Sequence, residues 1–232
     1  MGALQPRMSE MPKKQRDTGK QGWKQNPEAV KRDIVDVAIA EFSANGLSGA
    51  RVDEIAAKTR TSKRMIYYYF RDKDGLYAHA LEAAYAKVRS GEDELDLAGM
   101  KPESALARLV GFTFDHHREN PDFIRMVMIE NIHNADFIRQ SEVIRTLNVA
   151  AIEKLQDICQ RGAAEGVFRS GIDPVQLHWK ISALSFFNVS NRPSFSALFG
   201  SELFEQDAQN RLRDDVVQMI VGSVRNIERP LP

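Results

Sequence analysis

The chain has 232 residues and a mass of 26.2 kDa, and its hydrophobic fraction of 43% is large enough to build a core. Its 32 basic residues balance 32 acidic ones, which excludes a chain that is basic overall but leaves room for a local basic patch. The single cysteine, Cys159, excludes a disulfide framework and a zinc site made of several thiolates, and no run of about 18 apolar residues predicts a membrane span.

The first 26 residues form a polar segment that carries six basic and two acidic residues. This composition predicts a disordered basic arm, which would either follow DNA phosphates or serve only as a solubilising tail. The segment has no apolar signal-peptide core, so we expect a cytoplasmic protein.

From Pro27 onward, apolar residues recur at helical spacing and strand signals are nearly absent. The pattern predicts an all-α protein of about nine helices, with residues 192–203 as a loop. The predicted helices cover about 27–46, 52–58, 62–69, 74–89, 102–120, 122–132, 137–165, 174–191 and 205–228. They group into an N-terminal domain at 27–89, a linker at 90–101 and a larger domain at 102–230.

Two short helices joined by a four-residue connection, at about 52–71, have the spacing of a helix-turn-helix. Ile66 and Phe70 lie four residues apart and turn one face of the second helix toward the core. The opposite face begins with cationic side chains, which suits a recognition helix that enters the major groove. That face carries Lys63, Arg64, Met65 and Tyr67.

The same stretch resembles the DNA-binding domain of the TetR family of bacterial repressors. The segment Phe42-Ser43-Ala44-Asn45-Gly46 resembles the end of that family's first helix, Ile55-Ala56 matches the start of its turn motif, and Tyr67-Tyr68-Tyr69-Phe70-Arg71-Asp72-Lys73-Asp74-Gly75-Leu76 matches the end of its recognition helix. The resemblance covers residues 28–88.

Two departures from the family pattern stand out. Thr59-Arg60-Thr61 replaces Ala-Gly-Val at the turn, where a left-handed residue other than glycine would cost up to about 1–2 kcal/mol. Either the turn is distorted or a phosphate holds Arg60. Ala50-Arg51 replaces a common Thr pair, so Arg51 remains as a backbone contact without the usual hydroxyl.

The resemblance implies base contacts from Lys63, Arg64 and Met65, and phosphate contacts from Tyr67 and Lys73. The Tyr68 hydroxyl can also reach a phosphate. Ser62 or Thr61 is expected to cap the recognition helix, whose free backbone N–H groups can take a further phosphate. Residues 1–75 carry 15 basic and 10 acidic residues, a net charge of +5, so the rest of the chain has a net charge of −5. This split predicts an anion-binding end and a neutral-to-acidic body.

Ten of the twelve phenylalanines lie beyond residue 100. Polar residues embedded among apolar ones there predict either a small-molecule site or helix ends capped at surface turns. The resemblance places a ligand cavity among the fifth to eighth helices, and the candidate ligand-binding residues are Phe112, Glu130, His133, Trp179, Phe186 and Asn188. Glu130-x-x-His133 is half of a di-iron pattern without a second copy, so neither a metal nor a cofactor is expected.

The last two predicted helices carry apolar stripes, and the resemblance implies that they form the interface of a homodimer. A dimer is also what a palindromic DNA operator requires. The candidate interface residues are Leu177, Ile181, Leu184, Val216, Ile220 and Val224.

Together these features predict a ligand-responsive DNA-binding regulator that a small-molecule effector releases from its operator. The alternative is a helical ligand-binding or protein-interaction module whose motif is only packing. An enzyme is not expected, because the sequence has neither a Gly-rich phosphate loop nor a Gly-x-Ser-x-Gly motif.

Overall fold

A computed structural model describes residues 26–226 as an all-α fold, which confirms the predicted class. The described residues form eleven α-helices, two more than predicted, and no strand longer than the isolated bridge between Phe168 and Arg225. The helices are α1 (Pro27–Gly49), α2 (Val52–Lys58), α3 (Lys63–Phe70), α4 (Lys73–Asp93), α5 (Pro102–Glu119), α6 (Pro121–Ile132), α7 (Asp136–Gln140), α8 (Glu142–Ala164), α9 (Pro174–Ser190), α10 (Arg192–Phe199) and α11 (Gln206–Val224).

Residues 1–25 of the predicted basic arm lie outside the described part of the chain. Asn26, the last residue of that segment, caps α1: its side-chain oxygen accepts the N–H of Ala29 at 3.0 Å, and Pro27 follows at the first helical position. The predicted stop at Gly46 also has a structural basis, because this glycine takes φ 68° and ψ 174° and interrupts the helical backbone of α1.

Three predicted boundaries are corrected by the structure. The single helix predicted at 137–165 is two helices, because Ser141 is extended and its hydroxyl accepts the N–H of Ile144, which starts α8 afresh. The loop predicted at 192–203 contains α10, with Pro193 in its first turn. The predicted linker at 90–101 is partly helical, because α4 continues to Asp93 and a 3-10 turn covers Leu97–Gly99.

The larger core lies where α5, α8, α9 and α11 pack together. It contains five of the six residues predicted at a dimer interface, and the sixth, Leu184, packs against it. This corrects the prediction, since an apolar stripe that already covers its own chain is not free to meet a partner. The five buried residues are Leu177, Ile181, Val216, Ile220 and Val224.

The second core belongs to the N-terminal helices but is shared with the body. Ile34, Phe42 and Ile66 pack there together with Met126 of α6 and Ile144 of α8. The N-terminal unit predicted at 27–89 is therefore closed on one side by helices of the larger domain, and a displacement of α6 acts directly on the packing around α1.

Candidate DNA-binding face and ligand cavity

Helix α3 presents the predicted recognition face to solvent. Ile66 and Phe70 are buried, whereas Arg64, Met65 and Tyr68 are exposed and Tyr67 is half-buried. The Ser62 hydroxyl accepts the N–H of Met65 at 3.2 Å, as expected of a helix cap. The cationic first turn and Tyr68 are therefore open to solvent, whereas Tyr67 packs partly against the core.

Lys63, predicted to contact a base, and Lys73, predicted to contact a phosphate, are held only by weak surface contacts. Lys63 Nζ lies 3.3 Å from Asp53 Oδ2 and 5.9 Å from the centre of the Tyr67 ring. Lys73 Nζ donates to the Ser48 carbonyl at 3.2 Å. An exposed ion pair contributes less than about 1 kcal/mol, so DNA can replace Asp53 as the partner of Lys63 at little cost.

The turn between α2 and α3 keeps its left-handed residue although glycine is absent. Arg60 takes φ 52°, and the next N–H, that of Thr61, donates to the Ala56 carbonyl at 3.1 Å. The turn thus closes by its own backbone hydrogen bond, and the strain of a left-handed arginine is accepted rather than relieved by distortion.

Glu41 is a structural anchor of this domain that the sequence interpretation missed. Its buried carboxylate accepts from Lys58 Nζ at 3.0 Å, from Asn45 Nδ2 at 3.0 Å and from the backbone N–H of Arg51 at 3.3 Å. The hydrogen bond from Lys58 is the main cause that holds the pKa of Glu41 below its usual value. The sequence feature that could have identified this role is a carboxylate beside Phe42, on the apolar side of α1. Arg51 itself is exposed, so its backbone is anchored while its side chain is free.

A cavity of about 310 Å³ lies in the body, between α4, α5, α6, α8 and α9. Trp179 and Phe186, two of the predicted ligand-binding residues, line it. The cavity is within the size range of small-molecule sites, and its wall combines aromatic rings with a few polar groups.

The other four predicted ligand-binding residues do not line this cavity. Glu130 is buried because it binds within the protein: one oxygen accepts from the Tyr77 hydroxyl at 3.0 Å, and the other accepts the N–H groups of Phe137 and Ile138 at 3.1 Å. His133 is exposed at the end of α6.

Asn188 exchanges side-chain hydrogen bonds with Gln209 and lines two separate grooves. Phe112 packs over Gly91, and a Cβ added to Gly91 would lie 2.6 Å from the Phe112 ring. The centre of the Phe112 ring lies 5.4 Å from that of the His116 ring. Both side chains therefore serve contacts between helices.

The polar wall of the cavity comes from residues that the sequence interpretation did not select. Arg89 of α4 donates to Glu92 at 2.5 Å and to Asn148 at 2.7 Å, and Glu92 is buried. His117 of α5 and His178 of α9 complete this side, and burial lowers the pKa of both; that of His117 falls to about 4. Burial also raises the pKa of Tyr85 to about 12, so its hydroxyl stays protonated.

Two kinds of feature are absent from the described part of the chain. None of the helices in 26–226 is long and apolar enough to cross a membrane. Within the same residues, no group of three or more His, Cys, Asp or Glu side chains is placed to hold a metal ion.

Family models match both parts of the chain. The model described as bacterial regulatory proteins of the tetR family matches residues 34–80, and the tetracyclin repressor-like C-terminal domain matches residues 102–220. The chain belongs to the TetR family. It is a DNA-binding transcriptional regulator, so the alternative of a helical module whose motif is only packing is excluded.

Similar TetR proteins agree with this assignment over most of the chain. The transcriptional repressor NicS of Pseudomonas putida is 32% identical over 185 residues, which cover 80% of this chain and 87% of NicS. The structure of the regulator SCO4942 from Streptomyces coelicolor is 25% identical, with a TM-score of 0.63 over 84% of this chain and 98% of that one. The Bacillus subtilis regulator FadR, solved with stearoyl-CoA, shares the fold at 17% identity, with a TM-score of 0.66 over 84% of this chain and 99% of FadR.

Proposed function

We propose that this TetR protein is a homodimeric, cytoplasmic repressor that a small molecule bound in the 310 Å³ cavity releases from a palindromic operator. The observation that carries the proposal is the double role of α4. Leu76 and Tyr77, in its first half, pack in the core that supports the recognition helix. Tyr85 and Arg89, in its second half, line the cavity. One rigid helix therefore joins the two sites.

Contacts between α1 and α6 give a second link. Ser43 of α1 donates to Asp122 of α6 at 2.9 Å, and Phe123, the next residue of α6, lines the cavity. A ligand that favours one position of α4 and α6 would change the separation of the two recognition helices in a dimer. It shifts the equilibrium only by the difference between its affinities for the two forms.

We propose that DNA is bound by the exposed face of α3 and its flanks. Arg64, Lys63 and Met65 would contact base edges at the start of the recognition helix. Phosphates would be bound by the side chains of Tyr67, Tyr68, Lys73 and Arg51 and by the helix start that Ser62 caps.

The proposed dimer uses the outer faces of α9 and α11 rather than their buried stripes. Val175 and Phe187 are exposed apolar residues on α9, and Met219 is exposed on α11. Exposed apolar side chains on two adjacent helices support an interaction surface. A twofold axis there would present two recognition helices to half-sites about 34 Å apart.

A DNA-binding titration tests the recognition face. Arg64→Ala should weaken binding to the operator by about 1–3 kcal/mol if Arg64 makes a bidentate contact with a base. Fluorescence anisotropy on the DNA upstream of the chain's own gene measures this. Arg145→Ala is the matched control, since Arg145 is exposed on α8, in the body.

The salt dependence separates base from phosphate contacts. Lys73→Ala should lower the slope of log affinity against log salt by about 0.9, whereas Arg145→Ala should leave the slope unchanged. If neither Arg64→Ala nor Lys73→Ala changes binding relative to the control, the proposed face is wrong.

A further inference from the structure

Two arginines flank the recognition helix α3 in a backbone conformation that arginine normally avoids. Arg60, in the turn before α3, has φ 52°, and Arg71, directly after α3, has φ 70°. Both angles lie in the left-handed region, where the Cβ atom of a residue other than glycine crowds the backbone. Each arginine therefore makes the fold less stable than a glycine at the same position would.

The strain at Arg71 is that of a tight turn. Its φ of 70° and ψ of −62° are close to those of the rare, strained form of the three-residue γ-turn. The N–H of Asp72 closes this turn by donating to the Phe70 carbonyl at 2.9 Å. The turn lets the chain pass from α3 into α4 within two residues. It explains why residue 71 is left-handed, but it does not explain why that residue is arginine.

Neither arginine side chain offsets the strain by a contact within the described part of the chain. Both arginines are exposed, and among residues 26–226 no hydrogen bond, ion pair or ring contact reaches either guanidinium. By contrast, Asp96 and Asn134, which also have positive φ, carry the short polar side chains that tolerate this conformation. Strained residues cluster at functional sites, so we expect the two guanidinium groups to bind a partner outside the chain.

The positions of the two arginines suit the two sides of a DNA major groove. Helix α3 has 8 residues and, at a rise of about 1.5 Å per residue, is about 12 Å long. The major groove of B-DNA is also about 12 Å wide. A helix of this length that lies across the groove brings its two ends toward the phosphate backbones on opposite sides.

Each arginine also lies near a residue that the proposed function assigns to phosphate. Arg60 lies two positions before Ser62, the cap of α3, and Arg71 lies two positions before Lys73. A guanidinium is planar, always charged and able to donate two parallel hydrogen bonds to phosphate oxygens. Phosphate is therefore the part of DNA that best matches these side chains.

We propose that Arg60 and Arg71 bind DNA phosphates on the two sides of α3, and that their left-handed backbones lower the stability of the free protein. This rests on the proposed function, in which α3 enters the major groove. Cations that neutralise phosphates release the counterions that DNA holds, which favours binding. The gain from each arginine thus arises only in the complex with DNA, whereas the strain is present in the free protein as well.

Glycine substitutions reveal both effects. Arg60→Gly and Arg71→Gly each remove a guanidinium together with its strain, so each should raise Tm by about 2–4 °C. Each should also lower the slope of log affinity against log salt by about 0.9 for every phosphate contact that is lost. Thermal denaturation of the full chain gives Tm. Fluorescence anisotropy gives the slope, with a DNA duplex that the full chain selects from a random pool.

Two further variants serve as controls. Ala135→Gly relieves the same kind of strain in the body, where Ala135 has φ 58° before α7, so it should raise Tm and leave the slope unchanged. Arg60→Lys keeps a cation on the strained backbone, so its Tm and slope should stay close to those of the parent. Weaker DNA binding by a more stable variant cannot result from unfolding.

The inference is overturned if the glycine variants bind the duplex with the slope of the parent. It is also overturned if they are less stable than the parent, since the arginine side chains would then serve the fold. Arg64→Ala distinguishes this from failure of the proposed function. If Arg64→Ala weakens binding and the glycine variants do not, α3 still binds DNA and only the flanking contacts are wrong. If none of these variants changes binding, or if the full chain selects no duplex, the proposed recognition face fails as well.

Discussion

His117, in the cavity wall, makes the stability of the fold depend on pH. Its side chain is 7% exposed, and burial is the main reason that its pKa falls to about 4 from an ordinary value of 6.5. The unfolded chain therefore binds a proton at this residue at a higher pH than the folded chain does. Burial also lowers the pKa values of His116 and His178, so acid destabilises the fold through these two residues in the same way.

Stability should therefore fall as the pH drops from about 6.5 toward 4. For His117 alone the loss at pH 5 is on the order of 2 kcal/mol. Urea denaturation at pH 7.5 and pH 5 measures it. His117→Phe, which cannot be protonated, should lose less stability over this interval than the parent does. Equal losses in the two proteins would show that His117 is not neutral in the fold.

At the scale of elements, Glu41 fixes the start of α2 relative to α1. The carboxylate binds the N–H of Arg51, the residue before α2, and also Lys58 at the end of α2. The helix-turn-helix is thus held at both ends of α2 by one side chain of α1. The position of α3 follows from this, because Ile55 of α2 and Ile66 of α3 are fully buried in the same core.

Replacing Glu41 by Ala should lower the free energy of unfolding by about 1–3 kcal/mol, since the part-buried N–H of Arg51 loses its acceptor and Lys58 loses its ion pair. Thermal or urea denaturation measures the change. Glu28→Ala is the matched control on the same helix, because Glu28 forms a surface pair with Lys31 and is 69% exposed. The control should change stability by less than about 0.5 kcal/mol, and an equal effect of both substitutions would contradict the anchoring role.

In the whole molecule, the two sides of α9 have different surroundings and so different roles. The inner side, with Leu177 and Ile181, belongs to the core of the chain. The outer side, with Val175 and Phe187, remains exposed. Substitutions on the two sides should therefore differ in kind: an inner one unfolds the chain, and an outer one separates the proposed dimer.

Phe187→Glu should give folded monomers, because an unpaired carboxylate in an apolar interface is costly. Light scattering coupled to size exclusion measures the mass, and circular dichroism checks the fold. Val143→Glu is the matched control, since Val143 is an exposed apolar residue on α8. A dimer that survives Phe187→Glu unchanged would place the interface elsewhere. By contrast, Val216→Glu should destabilise the fold itself, because Val216 is buried in the core.

The all-α class and the helix-turn-helix with its cationic face can be predicted from the sequence alone. These follow from local rules: helix caps such as Ser62, apolar residues such as Ile66 and Phe70 spaced one turn apart, and stop signals such as Gly46. Each depends on residues within a few positions of one another, so the pattern can be recognised before the tertiary structure is known.

The packing of the helices determines which polar residues line the cavity and which apolar stripes stay exposed. Glu130 and Asn188 are polar residues in apolar surroundings, as in a ligand site, but each forms a hydrogen bond within the protein. Their partners, Tyr77 and Gln209, are distant in sequence. Val216 lies in a stripe that would suit an interface but is covered by its own chain. Periodicity shows that a helix has an apolar face; which neighbour covers that face depends on how the helices pack.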